Sequence, residues 1–364
     1  MRITIAISCY NQEVDIRKCL ESVMAQDYDD VEILVVDDHS TDNSREVVKE
    51  IFASHPDKNT RLVVHDINKG LSFVRNTCIQ EASGDAIIFI DGDDTMVEKA
   101  LGLFGRKMNE TNADVVCGSF RMVDEQGGII REQKYPAADI KGEYAFSTYI
   151  EQYIKDKQWF PITMWNKLYR LDWLRNNNIF CDTNFKFSED KIFSFNVVLH
   201  SKKMATISDL TYNWTQMPTS ISHKKTPDRL NDLRMSVEGV FKAFDDFKRS
   251  HSDESIPQGV LYILNFVCLT IGTIKYVLMS DISKTQKKRF IIEVKNIYKE
   301  YHINRHQVVG VYNKMSYLIL MSPFPCRLFL LYYKHLNLIV QIVNYKRSYR
   351  KILGDFFDEF EIFL

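Results

Sequence analysis

The first 110 residues alternate between short apolar segments and amphipathic segments. Four apolar segments have the length and β-branched content of buried strands: RITIAIS, VEILVVDD, RLVVHD and DAIIFID. Each is followed by a segment with helical periodicity, at about residues 14–26, 43–52, 70–82 and 97–108. Strands that alternate with helices form a mostly parallel sheet with helices on both faces. The sequence therefore predicts an α/β fold, in which a ligand binds beyond the carboxyl ends of the strands.

The alternation weakens after Ala113. We expect a further strand, a glycine turn, and then a mixture of helices and loops, at residues 113–123, 127–128, 143–156, 165–174 and 185–200. From about residue 226 the chain has mainly helical character, without repeats. We therefore expect an α/β domain over residues 1–225 and a mainly helical region over residues 226–364.

The composition is typical of a folded protein. Hydrophobic residues make up 45% of the 364 residues and charged residues 26%. The formal net charge of −1 gives no reason to expect nucleic acid as a partner. The seven cysteines form no C-x-x-C pair, so we expect reduced thiols in a cytoplasmic protein and neither disulfides nor a zinc site.

Two apolar segments could be confused with membrane signals. The N-terminal segment is too short for a signal peptide, and no small-residue cleavage site follows it. Residues 255–274 carry no charge, but they include Pro257, Gln258 and Asn265. These residues favour a buried helix over a membrane span.

Acidic residues follow the fourth apolar segment directly, as Asp91, Asp93 and Asp94 in DGDD. Carboxylates at this spacing raise one another's pKa values unless a cation lies between them or water surrounds them. The motif is therefore consistent both with an exposed turn and with a metal site. Hard oxygen ligands would favour Mg²⁺ or Mn²⁺ over zinc.

The second apolar segment also ends in acids. Asp38 lies at the same predicted edge of the sheet, where a carboxylate can accept a hydrogen bond from a nucleobase N–H or a ribose hydroxyl. The structural explanation of the motif is that Ser40 or Thr41 caps the following helix.

Two further motifs each have a structural and a functional explanation. Arg75 lies about one turn into the third predicted helix, where it is either a surface arginine or a ligand of a phosphate group. Glu189 and Asp190 follow Ser188, a suitable helix cap. Acids in a first turn stabilise the helix dipole, and an adjacent pair also suits a general base.

Taken together, the order and wording of these motifs resemble the family 2 glycosyltransferases, inverting enzymes of the GT-A fold. The matching segments are ISCYN, ILVVDDHSTDNS, NKGLSFVRN, SGDAIIFIDGDD, WNKLYRLDWL, the acidic pair at 189–190 and YNWTQMPTSIS. The resemblance covers about residues 2 to 225. One departure is Gln12, where many relatives place glutamate.

The resemblance implies a role for each matching residue. Ser8, Tyr10 and Asp38 would hold the nucleobase and ribose of a donor. Asn68 and Arg75 would lie near its diphosphate and sugar. Asp91 and Asp93 form the D-x-D pair, with Asp93 as the direct metal ligand. Asp190 would be the catalytic base, and Glu189 would orient it or contact the acceptor.

The implied function is transfer of a sugar, with inversion, from a nucleoside-diphosphate sugar to a hydroxyl group. A UDP-sugar is the expected donor because UDP-hexoses are the commonest donors in the family. The expected acceptor is a glycan or a lipid-linked saccharide of surface polysaccharide biosynthesis, and Mn²⁺ or Mg²⁺ is the expected cofactor.

Other classes share parts of this pattern. Residues 91–95 also fit the D-x-D-x-T motif of haloacid-dehalogenase-type phosphatases, although that motif usually follows the first strand and three strands are expected before it here. A nucleotidyltransferase should open with a glycine-rich loop, which SCYNQE is not. A non-catalytic carbohydrate-binding relative is a third alternative, although both the D-x-D and the acidic pair are intact.

The carboxyl-terminal segment from Tyr301 to Gly354 combines eight Lys/Arg and no acids with apolar stretches. Pro323 and Pro325 break these stretches into pieces too short to span a bilayer. A basic, aromatic-rich helix can lie in the headgroup plane of an anionic membrane. Peripheral contact with the inner face of the plasma membrane and packing against the α/β domain are both consistent with this segment.

Overall fold

The structure is a computed structural model that describes residues 1–154, 163–184, 189–216, 227–250, 257–269 and 282–301, with isolated positions at 274, 277, 317, 320, 321 and 325. The chain forms two compact units. The first contains residues 1–224 and 242–260, and the second contains residues 225–241 and 261–364.

A ten-stranded sheet forms the centre of the first unit. Its strands are β1 (Ile3–Cys9), β2 (Val31–Asp37), β3 (Asn59–Val64), β4 (Ala86–Asp91), β5 (Thr95–Met96), β6 (Val115–Val123), β7 (Ile129–Gln133), β8 (Ala138–Lys141), β9 (Lys167–Arg170) and β10 (Lys203–Thr215). The strand order is β3-β2-β1-β4-β9-β6-β10-β5, with β7 beside β6 and β8 beside β10. The first four strands pair in parallel, as does β10 with β6, whereas β9 runs antiparallel between β4 and β6.

Helices of the first unit alternate with the strands as far as β4, and less regularly after it. They are α1 (Ile16–Met24), α2 (Ser44–Ser54), α3 (Leu71–Glu81), α4 (Ala100–Thr111), α5 (Ala145–Tyr149) with a π-helical continuation (Ile150–Ile154), α6 (Leu171–Asn176) and α7 (Glu189–His200). In α1 the buried residues Ile16, Leu20 and Val23 recur with the helical period. Every residue of β1 is buried, which explains its unbroken apolar sequence.

The α/β expectation is confirmed. The four predicted strands are β1 to β4, the four predicted helices are α1 to α4, and the strand predicted from Ala113 is β6. The glycine turn lies between β6 and β7, where the amide of Gly127 donates to the carbonyl of Asp124 at 3.0 Å. The sequence predicted no strand at β5 or at β7 to β10, and these strands complete the second half of the sheet.

The second unit is helical where the structure describes it. Its helices come from α8 (Pro227–Ser250), α9 (Gln258–Leu269) and α10 (Lys284–Glu300), although residues 242–250 of α8 and 258–260 of α9 belong to the first unit. Tyr298 packs edge-on against Phe241 with ring centroids 4.8 Å apart. The Tyr298 hydroxyl donates to Asn265 Oδ1 at 3.2 Å. The segment from Tyr301 to Gly354 lies almost entirely outside the described residues, as does Ser188.

The predictions about cysteines and membrane spans agree with the described part of the chain. Its five described cysteine side chains are buried and form no disulfide: Cys9, Cys19, Cys78, Cys117 and Cys181. No described helix has both the length and the apolar character needed to cross a bilayer.

Candidate functional site

The carboxyl ends of β1, β2 and β4 meet at one edge of the sheet. In the parallel ladders Ser8 of β1 pairs with Val36 on one side and with Asp91 on the other. Tyr10 follows β1 and exposes 43% of its surface. The structure therefore places Ser8 beside Asp91 of the D-x-D motif, and Tyr10 follows β1 at the same edge of the sheet.

The loops after β1 and β2 are bonded to each other. Asn11, which has a left-handed backbone with φ of 51°, accepts a hydrogen bond from the Thr41 amide at 2.8 Å. The Asn11 amide donates to Ser40 Oγ at 3.0 Å, and the Ser40 hydroxyl donates to Asp37. Neither Ser40 nor Thr41 caps α2, because this helix begins only at Ser44 and its N-cap, Asn43, makes no side-chain capping bond. The capping prediction is wrong, and these hydroxyl groups join the two loops instead.

Asp38 organises the start of α3. Its Oδ1 lies 2.7 Å from His65 Nδ1 and accepts from the Lys69 amide at 2.9 Å, while its Oδ2 accepts from the Gly70 amide at 2.7 Å. Gly70 has a φ of 94°, a backbone conformation that favours glycine. Only 3% of Asp38 is exposed, whereas its neighbour in the predicted donor site, Asn68, is exposed.

The D-x-D turn is tight and crowded. A Cβ on Gly92 would lie 2.9 Å from the carbonyl oxygen of Ser8, so the backbone of β1 leaves room for glycine alone. Burial raises the pKa of Asp93 to about 6, and the neighbouring charge of Asp91 adds to the rise. A carboxylate with a raised pKa lacks compensating positive charge, which a cation beside it would supply.

The third acid of DGDD has a structural role. Asp94 Oδ2 accepts from the Tyr212 hydroxyl at 2.7 Å, and its Oδ1 accepts from the Thr215 amide at 2.7 Å. The Tyr212 ring stacks on Trp165 with centroids 4.9 Å apart. These contacts attach the D-x-D turn to β10. The local sequence gives no sign of these contacts, because Tyr212 lies 118 residues after Asp94.

Arg75 connects the D-x-D turn with the acidic pair of α7. Its Nη2 donates to Asp91 Oδ1 at 3.0 Å, and its Nη1 donates to Glu189 Oε1. Only 4% of Arg75 is exposed, so it is not the surface arginine that the sequence left as one alternative. The structure thus brings together three predicted site residues from separate motifs, and it surrounds the guanidinium with carboxylates.

The two acids of α7 differ in accessibility. Glu189 is 4% exposed, whereas Asp190 is partly exposed. Burial raises the pKa of Glu189 to about 7, against the opposing charge of Arg75. Burial also raises the pKa of Asp190, while Arg75 and Lys191 lower it. A partly exposed carboxylate with a raised pKa has the properties of a general base.

Lys167 is a charged residue near the site that the sequence analysis did not single out. It is buried, and its Nζ donates to the Thr163 carbonyl at 2.7 Å. Burial lowers the pKa of Lys167 to about 8, and the charge of Asp190 opposes this shift. The sequence did contain one signal for Lys167, because this residue lies within WNKLYR, one of the matching motifs.

The described carboxylates offer an incomplete shell for a metal ion. No cluster of three or more His, Cys, Asp or Glu side chains that could enclose a metal occurs among the described residues. Both oxygens of Asp94 are bonded to β10, and one oxygen of Asp91 is bonded to Arg75. Asp93 and the other oxygen of Asp91 suit a hard divalent cation whose remaining ligands come from a bound molecule.

Known proteins resemble both the sequence and the fold. The family model described as Glycosyl transferase family 2 matches residues 4–177. Glycosyltransferase GlyA of Streptococcus pneumoniae is 30% identical over 240 residues, which is 64% of this chain and 33% of that protein. Poly(ribitol-phosphate) beta-glucosyltransferase of Bacillus spizizenii is 28% identical over 218 residues, which is 58% of this chain and 32% of that protein. The chain therefore spans about a third of the length of each of these relatives.

A solved structure extends the likeness in fold beyond the matched segment. Staphylococcus aureus TarS 1-349 in complex with UDP-GlcNAc superposes with a TM-score of 0.63 at 19% sequence identity. The likeness covers 88% of this chain and 90% of the TarS chain. At this level of identity it establishes the fold.

Proposed function

Residues 4–177 are a domain of glycosyl transferase family 2, and from this premise we propose that the chain transfers a sugar from a nucleoside-diphosphate sugar to a hydroxyl group. The fold is the GT-A arrangement that the resemblance implied. The observation that carries the proposal is the meeting of the D-x-D turn and the acidic pair of α7 at Arg75. Under this proposal the leaving group binds at the D-x-D turn and the base lies on α7, and the contacts that both motifs make with Arg75 support the proposal.

The donor binds beyond the ends of β1 and β2. Exposed Tyr10 offers a face for a nucleobase, and Ser8 lies two residues before it, near the end of β1. Asp38 is 3% exposed and both of its oxygens accept hydrogen bonds, so it serves the donor through the loop at Lys69 and Gly70 that it holds. Asn68 in that loop faces solvent. A UDP-sugar is the donor that we propose, which is consistent with the UDP-GlcNAc complex of TarS.

Asp93 and Asp91 would hold Mn²⁺ or Mg²⁺ together with the diphosphate of the donor. Asp93 fits this role because its carboxylate lacks compensating positive charge. When bound, the cation would offset negative charge on the departing diphosphate. Asp91 also accepts from Arg75, which fixes the orientation of its carboxylate.

Asp190 acts as the general base. Its partial exposure gives it access to an acceptor, which buried Glu189 lacks. The acceptor oxygen attacks the anomeric carbon as Asp190 takes the hydroxyl proton, and the bond from the anomeric carbon to the diphosphate breaks on the opposite face. A single displacement of this kind inverts the anomeric configuration.

The acceptor is a glycan or a lipid-linked saccharide in surface polysaccharide biosynthesis. We place the protein in the cytoplasm, in peripheral contact with the inner face of the plasma membrane. One observation favours this contact: Lys284, Lys288 and Ile292 are exposed and four residues apart, so α10 presents them on one face. A basic face with an apolar side chain suits an anionic membrane surface.

A panel of nucleotide sugars tests the proposal. Thermal shift of the full chain with Mn²⁺ should identify one nucleoside-diphosphate sugar that raises Tm, and slow release of its nucleoside diphosphate should follow. A nucleotide sugar that raises Tm but releases no nucleoside diphosphate, even when saccharide acceptors are present, would favour the non-catalytic alternative. Hydrolysis of phosphate monoesters without any response to nucleotide sugars would favour the phosphatase alternative, which finds no support in the comparisons.

A further inference from the structure

Arg75 is a buried cation shared by two acidic motifs that lie far apart in the sequence. Its contact with Glu189 joins residues separated by 114 positions. Its contact with Asp91 joins α3 to the end of β4. One planar guanidinium thus reaches two carboxylates on two different elements, which a lysine ammonium on its flexible stem does less well.

The surroundings of Arg75 leave little room for a further ligand. Two of its nitrogens donate to carboxylates, and its Nε is buried without a hydrogen-bond partner among the described residues. Glu189 is 4% exposed, so its contact with Arg75 is sheltered from water. Contacts of this kind are geometrically specific, and loss of one partner leaves the other charge buried without compensation.

We propose that Arg75 is a positioning residue, which fixes the first turn of α7 against the D-x-D turn and so sets the position of Asp190 relative to the donor. Glu189 holds the guanidinium in place and does not contact the acceptor. Successive residues of a helix point about 100° apart, so with Glu189 directed at Arg75, Asp190 is directed elsewhere. This assignment rests on the proposed function, which gives Asp190 its role as the base. The contacts of Arg75 with Asp91 and Glu189 can be tested independently of that function.

The kinetic test separates positioning from donor binding. Arg75→Met should lower kcat on the order of 10²-fold, because a displacement of about 1 Å in a catalytic group has that effect. The affinity for UDP measured in EDTA should stay within about twofold, because Arg75 is not a phosphate ligand under this proposal. Arg75→Lys keeps the positive charge but cannot contact both carboxylates in the same way, so its kcat should exceed that of Arg75→Met by less than tenfold.

Arg175 provides a matched control. Its guanidinium donates to the carbonyls of Ile79, Gln80 and Ala82 at the other end of α3. Arg175→Met should lower Tm and leave kcat unchanged at temperatures where the protein is folded. An equal loss of kcat in Arg175→Met and Arg75→Met would mean that Arg75 acts through general stability alone, and would overturn the proposal.

A thermal double-mutant cycle tests the contact without any sugar transfer. In the wild-type chain, Glu189→Gln should lower Tm, because it weakens the contact with Arg75. In Arg75→Met, Glu189→Gln should raise Tm, because the carboxylate that it removes is buried and has lost its partner. In Arg175→Met, Glu189→Gln should lower Tm as in the wild type. If Arg75→Met does not fold, Arg75→Lys takes its place in the cycle, with a smaller rise expected.

Two further results would overturn the assignment. One is an equal Tm effect of Glu189→Gln in the wild-type and Arg75→Met chains, which would mean that the two residues are not coupled. The other is an Arg75→Met variant that binds UDP more weakly in EDTA but keeps the wild-type kcat, which would make Arg75 a diphosphate ligand. Absence of transfer by the wild-type chain would contradict the proposed function alone, since the thermal cycle and UDP binding are read without turnover.

Discussion

Two adjacent acids at the start of α7 have different surroundings, and these surroundings suggest different roles. Glu189 is buried against Arg75, whereas Asp190 is partly exposed and titrates above the usual aspartate range because of burial. Sequence alone places both acids in a first turn, where their contribution to the helix dipole is the same. Their contacts with the rest of the sheet edge distinguish them.

We expect Asp190→Asn to lower the rate of transfer by about 10²–10⁴-fold, the usual range for loss of a positioned general base. Donor binding should persist, because the contacts of Asp91 and Asp38 are unchanged. Steady-state kinetics with the identified donor, together with UDP titration, measure both quantities. Glu189→Gln should cost less in kcat, and a dead Glu189→Gln beside an active Asp190→Asn would reverse the two roles.

The pH dependence of kcat should report Asp190. A base must be ionised, and burial raises the pKa of Asp190, so activity should fall as pH decreases through a value above the ordinary aspartate pKa of about 4. This acidic limb should vanish or move in Asp190→Asn and persist in Glu189→Gln. A profile that is flat down to pH 4 in the wild type would contradict the assignment.

Asp93→Asn should abolish transfer and remove the effect of Mn²⁺ on UDP affinity. The fold should survive in the metal-free protein, because Asp93 is partly buried beside Asp91 and its pKa is raised to about 6. At neutral pH the carboxylate of Asp93 is mostly ionised, at a cost to the folded state from burial and from the charge of Asp91, and a neutral amide removes that cost. Calorimetric titration of UDP with Mn²⁺ and with EDTA measures the effect, and wild-type turnover that is undiminished in EDTA would exclude metal dependence.

At the scale of elements, the D-x-D turn depends on how closely it approaches β1. Gly92→Ala places a Cβ 2.9 Å from the carbonyl oxygen of Ser8, so a backbone must shift. We expect a loss of about 1–3 kcal/mol in the free energy of unfolding, as for other overpacked sites, with weaker UDP binding. Urea unfolding measures the change.

Gly102→Ala is the control for Gly92→Ala. Gly102 lies in α4, and its added Cβ would be 3.5 Å from the nearest neighbouring atom, an ordinary contact. This substitution should be neutral or stabilise the protein by up to about 1 kcal/mol, because alanine favours a helix over glycine. Equal losses in the two variants would mean that the close approach to β1 is not what requires glycine at position 92.

The elements that the sequence predicted well are those whose signal is local. Strands β1, β2 and β4 are buried and have apolar runs, whereas β3, at the edge of the sheet, contains no fully buried residue. Helices α1 to α4 have helical periodicity in the segments that follow these strands. Strand β10 was missed, since its pairing with β6 is interrupted by register shifts between Ile207 and Tyr212. An irregular strand does not keep the alternation that sequence analysis detects.

The sequence indicated which residues are candidates for the site, but not the contacts between them. The motifs singled out Arg75, Asp91, Glu189 and Asp190 because each lies at the end of a strand or within the first turns of a helix. Nothing local indicates that Arg75 contacts both acidic motifs, or that both carboxylate oxygens of Asp94 accept hydrogen bonds from β10. These contacts arise from strand order, which periodicity does not encode.

At the scale of the whole molecule, the basic face of α10 carries the prediction of membrane contact. The full chain should float with vesicles of phosphatidylserine and phosphatidylcholine, and less with phosphatidylcholine alone. Lys284→Glu with Lys288→Glu should weaken binding by about tenfold or more, at about 1 kcal/mol for each basic residue near an anionic surface. Flotation of the full chain that does not differ between the two vesicle types would contradict an electrostatic contact.

Lys18→Glu with Lys49→Glu is the matched control for this experiment. Both lysines are exposed, and they lie on α1 and α2 of the first unit. The change in net charge is the same as in the α10 variant. Equal loss of binding in the two variants would show that net charge, and not the face of α10, determines binding.

The hydrogen bonds of Asp94 also determine when the D-x-D turn can be completed as the chain is synthesised. Asp94 obtains its partners from Tyr212 and Thr215, which are 118 and 121 residues later in the chain. Closing so long a loop costs entropy, and contacts of this kind tend to form late in folding. When the ribosome has synthesised the chain only as far as the D-x-D turn, the acids of that turn are present. Strand β10, which donates to Asp94, is not. We therefore expect the D-x-D turn to reach its final position only when β10 docks, so a chain interrupted before that strand would lack both bonds of Asp94.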